Sequence, residues 1–258
     1  MSIVYAVVNQ KGGVGKTTTV VNLSAFLALA GQRVLVVDLD PQGNASSGLG
    51  IDRSVLKVST YDVLIESCTV ADAVLPTQVK GLFVLPSTID LAGAEVELMP
   101  RIAREGYLKR LLQPVATDYD VILIDAPPSL GLLTLNALVA SDALIIPIQT
   151  EYYALEGISQ LVKTIDLVKR QLNPTLEIAT VIMTMHDNRI RLANQVVEEV
   201  RGYFGKTVSK TVVPRNVRLS EAPSHGLPIA LYSARSTGAK AYNELAREVI
   251  EYGKTRTR

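Results

Sequence analysis

A doubly wound α/β fold, with a mostly parallel sheet and helices on both faces, is predicted by three observations. Short apolar, β-rich runs alternate with helix-patterned stretches along most of the chain. Several of those runs are apolar throughout, as strands covered on both faces are. The first of them passes through a glycine-rich loop directly into a helical pattern, the strand–loop–helix unit on which such folds are built.

The strands expected are residues 3–8, 33–38, 82–85, 121–125, 143–147, 178–185 and 211–213. Helices are expected at 18–30, 102–115, 130–140, 155–172, 190–204 and 238–252, with Gly31 placed to cap the first. At 258 residues and 48% hydrophobic content the chain buries one substantial core. No linker, repeat or low-complexity segment divides it, so residues 1–258 are expected to form a single domain.

Composition narrows the function. A single cysteine, Cys68, excludes a disulfide framework and the paired thiolates of a cluster or zinc site. The first residues carry no basic region and lead straight into the first strand, which does not fit a signal peptide. No apolar run approaches the ~18 residues that span a bilayer. With a formal net charge of +1, any nucleic-acid contact has to come from a local patch. No tryptophan and three phenylalanines argue against an aromatic base-stacking platform.

The loop reads Asn9-Gln10-Lys11-Gly12-Gly13-Val14-Gly15-Lys16-Thr17-Thr18. Its glycines let successive N–H groups turn inward as an anion nest, and the helix that follows adds the positive end of its dipole. Lys16 suits the β- and γ-phosphates, the Thr17 hydroxyl suits Mg2+, and residues 11–18 together form a nucleoside triphosphate cradle. The pattern departs from the general phosphate loop at Gln10, where a glycine is usual, and in its extra lysine. Lys11 is repelled by Lys16 unless a further anion lies within reach.

These residues resemble the deviant Walker A motif of the ParA/MinD family of P-loop ATPases. The resemblance implies ATP and Mg2+ as ligands and a dimer that sandwiches ATP. In that dimer Lys11 reaches the nucleotide of the other subunit, a contribution of the kind worth ~10³–10⁵ in rate in phosphoryl transfer.

Two acidic segments accompany the loop. Asp38 and Asp40, two residues apart at a strand end, point to the same side. Asp-Pro-Gln-Gly at 40–43 is also good turn chemistry, and the sequence alone leaves both readings open. The run resembles the switch I motif of the family, which implies that Asp40 orients the attacking water while Asp38 organises the metal side. Residues 121–125 end in Asp125 and resemble a Walker B strand, with Asp125 holding Mg2+ through water. Pro127, Pro128 and Gly131 then fall in the region that is switch II in the family. Asn136 fits an interface or, more simply, a satisfied helix position.

Residues 213–226, from Val213 to Gly226, are too polar for a core element and resemble the same stretch of short chromosomal ParA proteins. That resemblance places Pro214, Arg215 and Asn216 at the adenine, with Met183 and Thr184 as weaker candidates. His225 has no catalytic partner in the pattern and reads as a loop histidine.

Between His186 and Arg218 basic residues exceed acidic ones by four. Charge alone is compatible with an ordinary solvated surface. The resemblance implies binding of non-specific duplex DNA by the ATP dimer, with Arg189, Arg191, Arg215, Arg218 and Lys240 on the patch and a ParB-type partner stimulating hydrolysis. It also implies a cytoplasmic protein associated with the nucleoid. A MinD-like membrane ATPase is the alternative, but Tyr242, Leu245, Val249 and Ile250 are spaced as a core-docking face and the tail has no apolar residue to insert. A cluster-bearing reductase lacks its cysteines, and a small-molecule ligase or kinase remains a further alternative.

Overall fold

The computed structural model describes residues 2–151 and 154–256. Seven strands form one sheet: β1 (Ile3–Val7), β2 (Val34–Asp38), β3 (Leu75–Pro76), β4 (Leu82–Leu85), β5 (Val121–Asp125), β6 (Ala143–Gln149) and β7 (Glu177–Thr184). Their order is β3-β4-β2-β5-β1-β6-β7. All neighbours are parallel except the short edge pair β3–β4.

Alternation along the strands divides the core in two. Val4, Ala6, Leu35, Val37, Ile122 and Ile124 join one buried cluster, while Tyr5, Val7, Val34, Val36, Val121 and Leu123 join the other. The second face carries α1 (Lys16–Leu29) and, further along the chain, the C-terminal helix, whose Tyr242, Leu245 and Val249 are buried against it. The apolar stripe of that last helix is therefore used inside the core. Among the described residues no helix is long and apolar enough to cross a membrane.

In chain order the remaining helices are α2 (Asn44–Gly48), α3 (Thr60–Leu64), α4 (Val70–Ala73), α5 (Leu91–Leu98), α6 (Tyr107–Leu112), α7 (Leu132–Ala140), α8 (Ala154–Gln171), α9 (Arg191–Phe204), α10 (Val217–Glu221), α11 (Ile229–Tyr232) and α12 (Thr237–Arg256). The first helix ends as expected: Gly31 has φ +93° and its N–H bonds Ala28.

Two expectations are corrected. Residues 211–213 are not a strand, because the Glu248 carboxylate accepts from Lys210 N, Thr211 N and the Thr211 hydroxyl and draws this backbone toward α12. Only isolated bridges, Val181 to Val208 and His186 to Pro214, run beside β7. The helix expected over 102–115 is α6 flanked by 3-10 turns at Arg104–Gly106 and Gln113–Asp118, the second containing Pro114 at its start.

Candidate active site

Register places the acids. Asp38 and Asp125 are partners across the β2–β5 ladder and continue the rows Val34, Val36 and Val121, Leu123, so both face the α1 side. The glycine loop leaves β1, the neighbour of β5 on its other side, and enters α1 through Gly15. Gly13 and Gly15 have φ +76° and +90°, backbone that favours glycine and curls the loop. Gly12 lies against Pro128, bringing the loop to the segment after β5.

Lys16 is buried, and its Nζ donates to the Lys11 carbonyl at 3.2 Å. Burial lowers its pKa, opposed by Asp125 and Asp40. Asp125 is wholly buried, and neither carboxylate oxygen has a hydrogen-bond partner among the described residues. Burial, then Asp38 beside it, raises its pKa well above the carboxylate range; Thr17 and Lys16 act in the opposite direction. A buried, partnerless carboxylate next to a threonine hydroxyl and a lysine fits a cation held there with phosphates. Among the described residues no three acids, histidines or cysteines form a metal cage of their own. Mg2+ bound through substrate phosphates needs only one or two carboxylates.

Asp38 has a different part. Its Oδ2 accepts from Ser46 N at 2.8 Å and the Ser46 hydroxyl at 2.6 Å, and its Oδ1 accepts from Asp40 N at 3.3 Å. Burial raises its pKa against those bonds. Asp38 thus ties α2 and the Asp40 turn to the end of β2. Asp40 is buried and caps its own turn, Oδ1 accepting from Gln42 N at 2.9 Å.

Lys11 is half-buried at the rim, its Nζ 3.4 Å from Glu151 Oε2. The other Glu151 oxygen lies 3.9 Å from Arg215. Glu151 had no signal in the sequence; it lies just past β6, which runs two residues beyond its expected end. Val14 is buried, and its carbonyl accepts from the Thr184 hydroxyl at 2.8 Å. Met183, expected near the base, is buried in the core on the face away from α1, so Thr184 is the residue of that pair that meets the loop. Thr17, Thr18, Asn22, Asn44, Ser47 and Pro223 line a cleft beside the start of α1.

The polar segment after Val213 meets the end of β7: Arg215 N donates to the His186 carbonyl at 2.9 Å. Asn216 caps α10 by accepting from Arg218 N, and its amide reaches Thr237 Oγ1 at 2.6 Å. Those bonds tie Arg215 to the end of β7, three residues before Arg189, and tie Asn216, next to Arg218, to the start of α12, which carries Lys240. The five basic residues are exposed. Two of them hold acids of their own loops, Arg189 with Asp187 through Nε at 2.9 Å and Nη2 at 2.6 Å, and Arg218 with Glu221 at 2.7 Å. Arg189 holds the Asp187 carboxyl well below its usual range. His225 stacks on Tyr232, the loop role expected of it. Asn136 accepts from Leu108 N and donates to the Arg104 and Leu132 carbonyls, a satisfied helix residue.

A parallel sheet, a glycine loop opening into a helix, and a carboxylate ending the adjacent strand define a P-loop NTPase. The comparisons agree. A family model described as an AAA domain, AAA_31, matches residues 2–178. The chain is 58% identical over 253 residues to the sporulation initiation inhibitor protein Soj of Bacillus subtilis, covering 98% of this chain and 100% of that one. It is 54% identical over 248 residues to the chromosome partitioning protein ParA of Myxococcus xanthus, covering 96% and 88%. Among solved structures, cobyrinic acid a,c-diamide synthase of Mycobacterium smegmatis with bound ADP and magnesium superposes with a TM-score of 0.88 at 40% identity, over 99% and 96% of the two chains. The chain belongs to the Soj/ParA family of P-loop ATPases.

Proposed function

We propose that the chain binds ATP with Mg2+ and hydrolyses it, and that its ATP-bound homodimer holds duplex DNA without sequence preference until a ParB-type partner stimulates hydrolysis. The observation that carries this reading is the buried Asp125 carboxylate, partnerless beside Thr17 and Lys16 under a glycine loop. In this reading Lys16 and the N–H groups of residues 12–18 hold the phosphates. Thr17 and Asp125 hold Mg2+, which when bound neutralises phosphate charge. Asp40 orients the attacking water, and Asp38, fixed by Ser46, holds the Asp40 turn in place. Pro214, Arg215 and Asn216 border the base.

Lys11 is free to act across a dimer because a partly exposed ion pair such as Lys11–Glu151 is worth only about 0–1 kcal/mol. Contacts from the arginine patch go to phosphates, and dimerisation doubles them, so nucleotide state controls DNA residence. The name of one relative, chromosome partitioning protein ParA, supports chromosome partition, and the setting of this reading is the cytoplasm, on the nucleoid. The test is sedimentation of the chain with ATP, ADP and no nucleotide: a dimer with ATP alone supports the reading, and a mass independent of nucleotide rejects it.

A second reading is favoured by one observation, the 40% identity to a diamide synthase. Product analysis separates the two. Transfer of the γ-phosphoryl to water alone supports the partition reading, whereas consumption of ATP only with a carboxylic acid acceptor supports a synthase.

A further inference from the structure

Two cations of the basic patch already hold anions. Asp187 accepts three bonds from Arg189: Oδ1 from the backbone N–H at 3.1 Å and from Nε at 2.9 Å, and Oδ2 from Nη2 at 2.6 Å. Two guanidinium nitrogens on two carboxylate oxygens is the forked pairing that arginine makes with carboxylate and phosphate alike. Glu221, at the end of α10, accepts through Oε2 from Arg218 Nη1 at 2.7 Å and from the Tyr232 hydroxyl at 3.1 Å. Arg215 differs, since it stands 3.9 Å from Glu151, beyond hydrogen-bond reach.

Neither pair contributes much to the stability of the fold. The Arg189 and Arg218 side chains are 85% and 57% exposed, and ion pairs this exposed are worth little. The acids are the anchored partners. Asp187 is only 16% exposed and closes its own turn through the Arg189 N–H, while Glu221 is tethered by Tyr232, whose ring stacks on His225. The arginines hold both carboxyls below their usual range, so the acids stay ionised at neutral pH.

A phosphate that takes either arginine therefore has to displace a carboxylate making the same kind of bond. The displaced acid is left beside the duplex as an uncompensated negative charge.

We propose that Asp187 and Glu221 compete with DNA backbone phosphate for Arg189 and Arg218, so that the two carboxylates mark two phosphate subsites and weaken the hold of each protomer on duplex DNA. The proposal rests on the DNA-binding reading above. It adds a brake to that reading: a lone protomer opposes its own patch with two acids, and the doubled patch of a dimer overcomes them.

The test measures binding of random-sequence duplex DNA with ATP, over a range of salt, for the full unaltered chain, Asp187→Asn, Glu221→Gln and Glu199→Gln. An amide at 187 or 221 still accepts the turn N–H or the Tyr232 hydroxyl, so the loops keep their bonds. Glu199, exposed on α9, controls for loss of one negative charge. Asp187→Asn and Glu221→Gln are each expected to bind at least about twofold tighter. Their plots of log affinity against log salt steepen by up to about 0.9 for each arginine freed, because no acid is left to recapture a cation. Equal or weaker binding overturns the proposal, weaker binding meaning that the acids hold the arginines ready for DNA. An equal gain in Glu199→Gln also overturns it, because net charge alone then accounts for the effect. If the unaltered chain binds no DNA with ATP, the DNA-binding reading falls and this proposal falls with it.

Discussion

Asp38 and Asp125 end adjacent parallel strands as register partners, two fully buried carboxylates side by side beneath the glycine loop. Ser46 donates twice to the first, whereas the second, beside Thr17, has no hydrogen bond of ordinary geometry among the described residues. Burial raises the pKa of both, with Asp40 adding to it at Asp38 and Asp38 adding to it at Asp125. Without a cation the site is destabilising, which is a common property of sites built for charge.

Asp125→Asn keeps the shape and removes the charge. Its nucleotide-free form is expected to be more stable at neutral pH by about 1–3 kcal/mol, with Mg2+-dependent hydrolysis lost. The sign follows from the raised pKa. Over the range between the ordinary value of 3.8 and the raised one, the folded form keeps a proton that the unfolded form has released. Stability of the nucleotide-free protein therefore falls as pH rises through that range. Thermal denaturation across it should show a shallower fall in the variant, and equal slopes contradict the account.

Asp40→Ala is expected to bind ATP and dimerise but hydrolyse little, because in the proposed mechanism Asp40 orients water and does not hold phosphate. Single-turnover phosphate release measures this. Turnover at the unaltered rate removes Asp40 from the mechanism.

Gly43→Ala tests the packing of the Asp40 turn. Gly43 has φ +60°, and a Cβ there would strike the Arg53 guanidinium and stand 2.8 Å from the Ser87 carbonyl. Arg53 itself donates to the Gln42 carbonyl at 2.5 Å. The substitution should cost about 1–3 kcal/mol of stability in urea denaturation. A neutral effect would mean that the turn and Arg53 move aside without strain.

That acids end β2 and β5 was legible because two apolar runs close on Asp38 and Asp125; that both fall on the face holding α1 was not, since it depends on strand order. The glycine loop was legible because few residue types suit its conformation. Ser46 was not, since α2 has five residues and no periodic pattern to announce it. Glu151 meets Lys11 across 140 positions, a juxtaposition that only strand order creates. Met183 lies in the core and Thr184 meets the loop because neighbouring residues on a strand face opposite sides, and the sequence does not say which side holds α1. The run 211–213 is not a strand because one distant carboxylate, Glu248, takes the Thr211 N–H while only Val213 N bonds β7, at the Met183 carbonyl.

Glu151→Gln removes the charge that holds Lys11 in its own subunit. The ATP-dependent dimer should form at protein concentrations no more than about thirtyfold lower, since each of the two subunits gives up an exposed pair worth at most about 1 kcal/mol. Lys11→Ala should bind nucleotide and stay monomeric by sedimentation. A dimer in that variant shows that Lys11 does not act across the interface.

The most direct measurement is binding of random-sequence duplex DNA with ATP and with ADP, at two salt concentrations, for the unaltered chain and for Arg189→Glu and Arg218→Glu. The account predicts binding that needs ATP, weakens steeply with salt and is lost in both variants. Binding indifferent to nucleotide, or unchanged by the two substitutions, would contradict it.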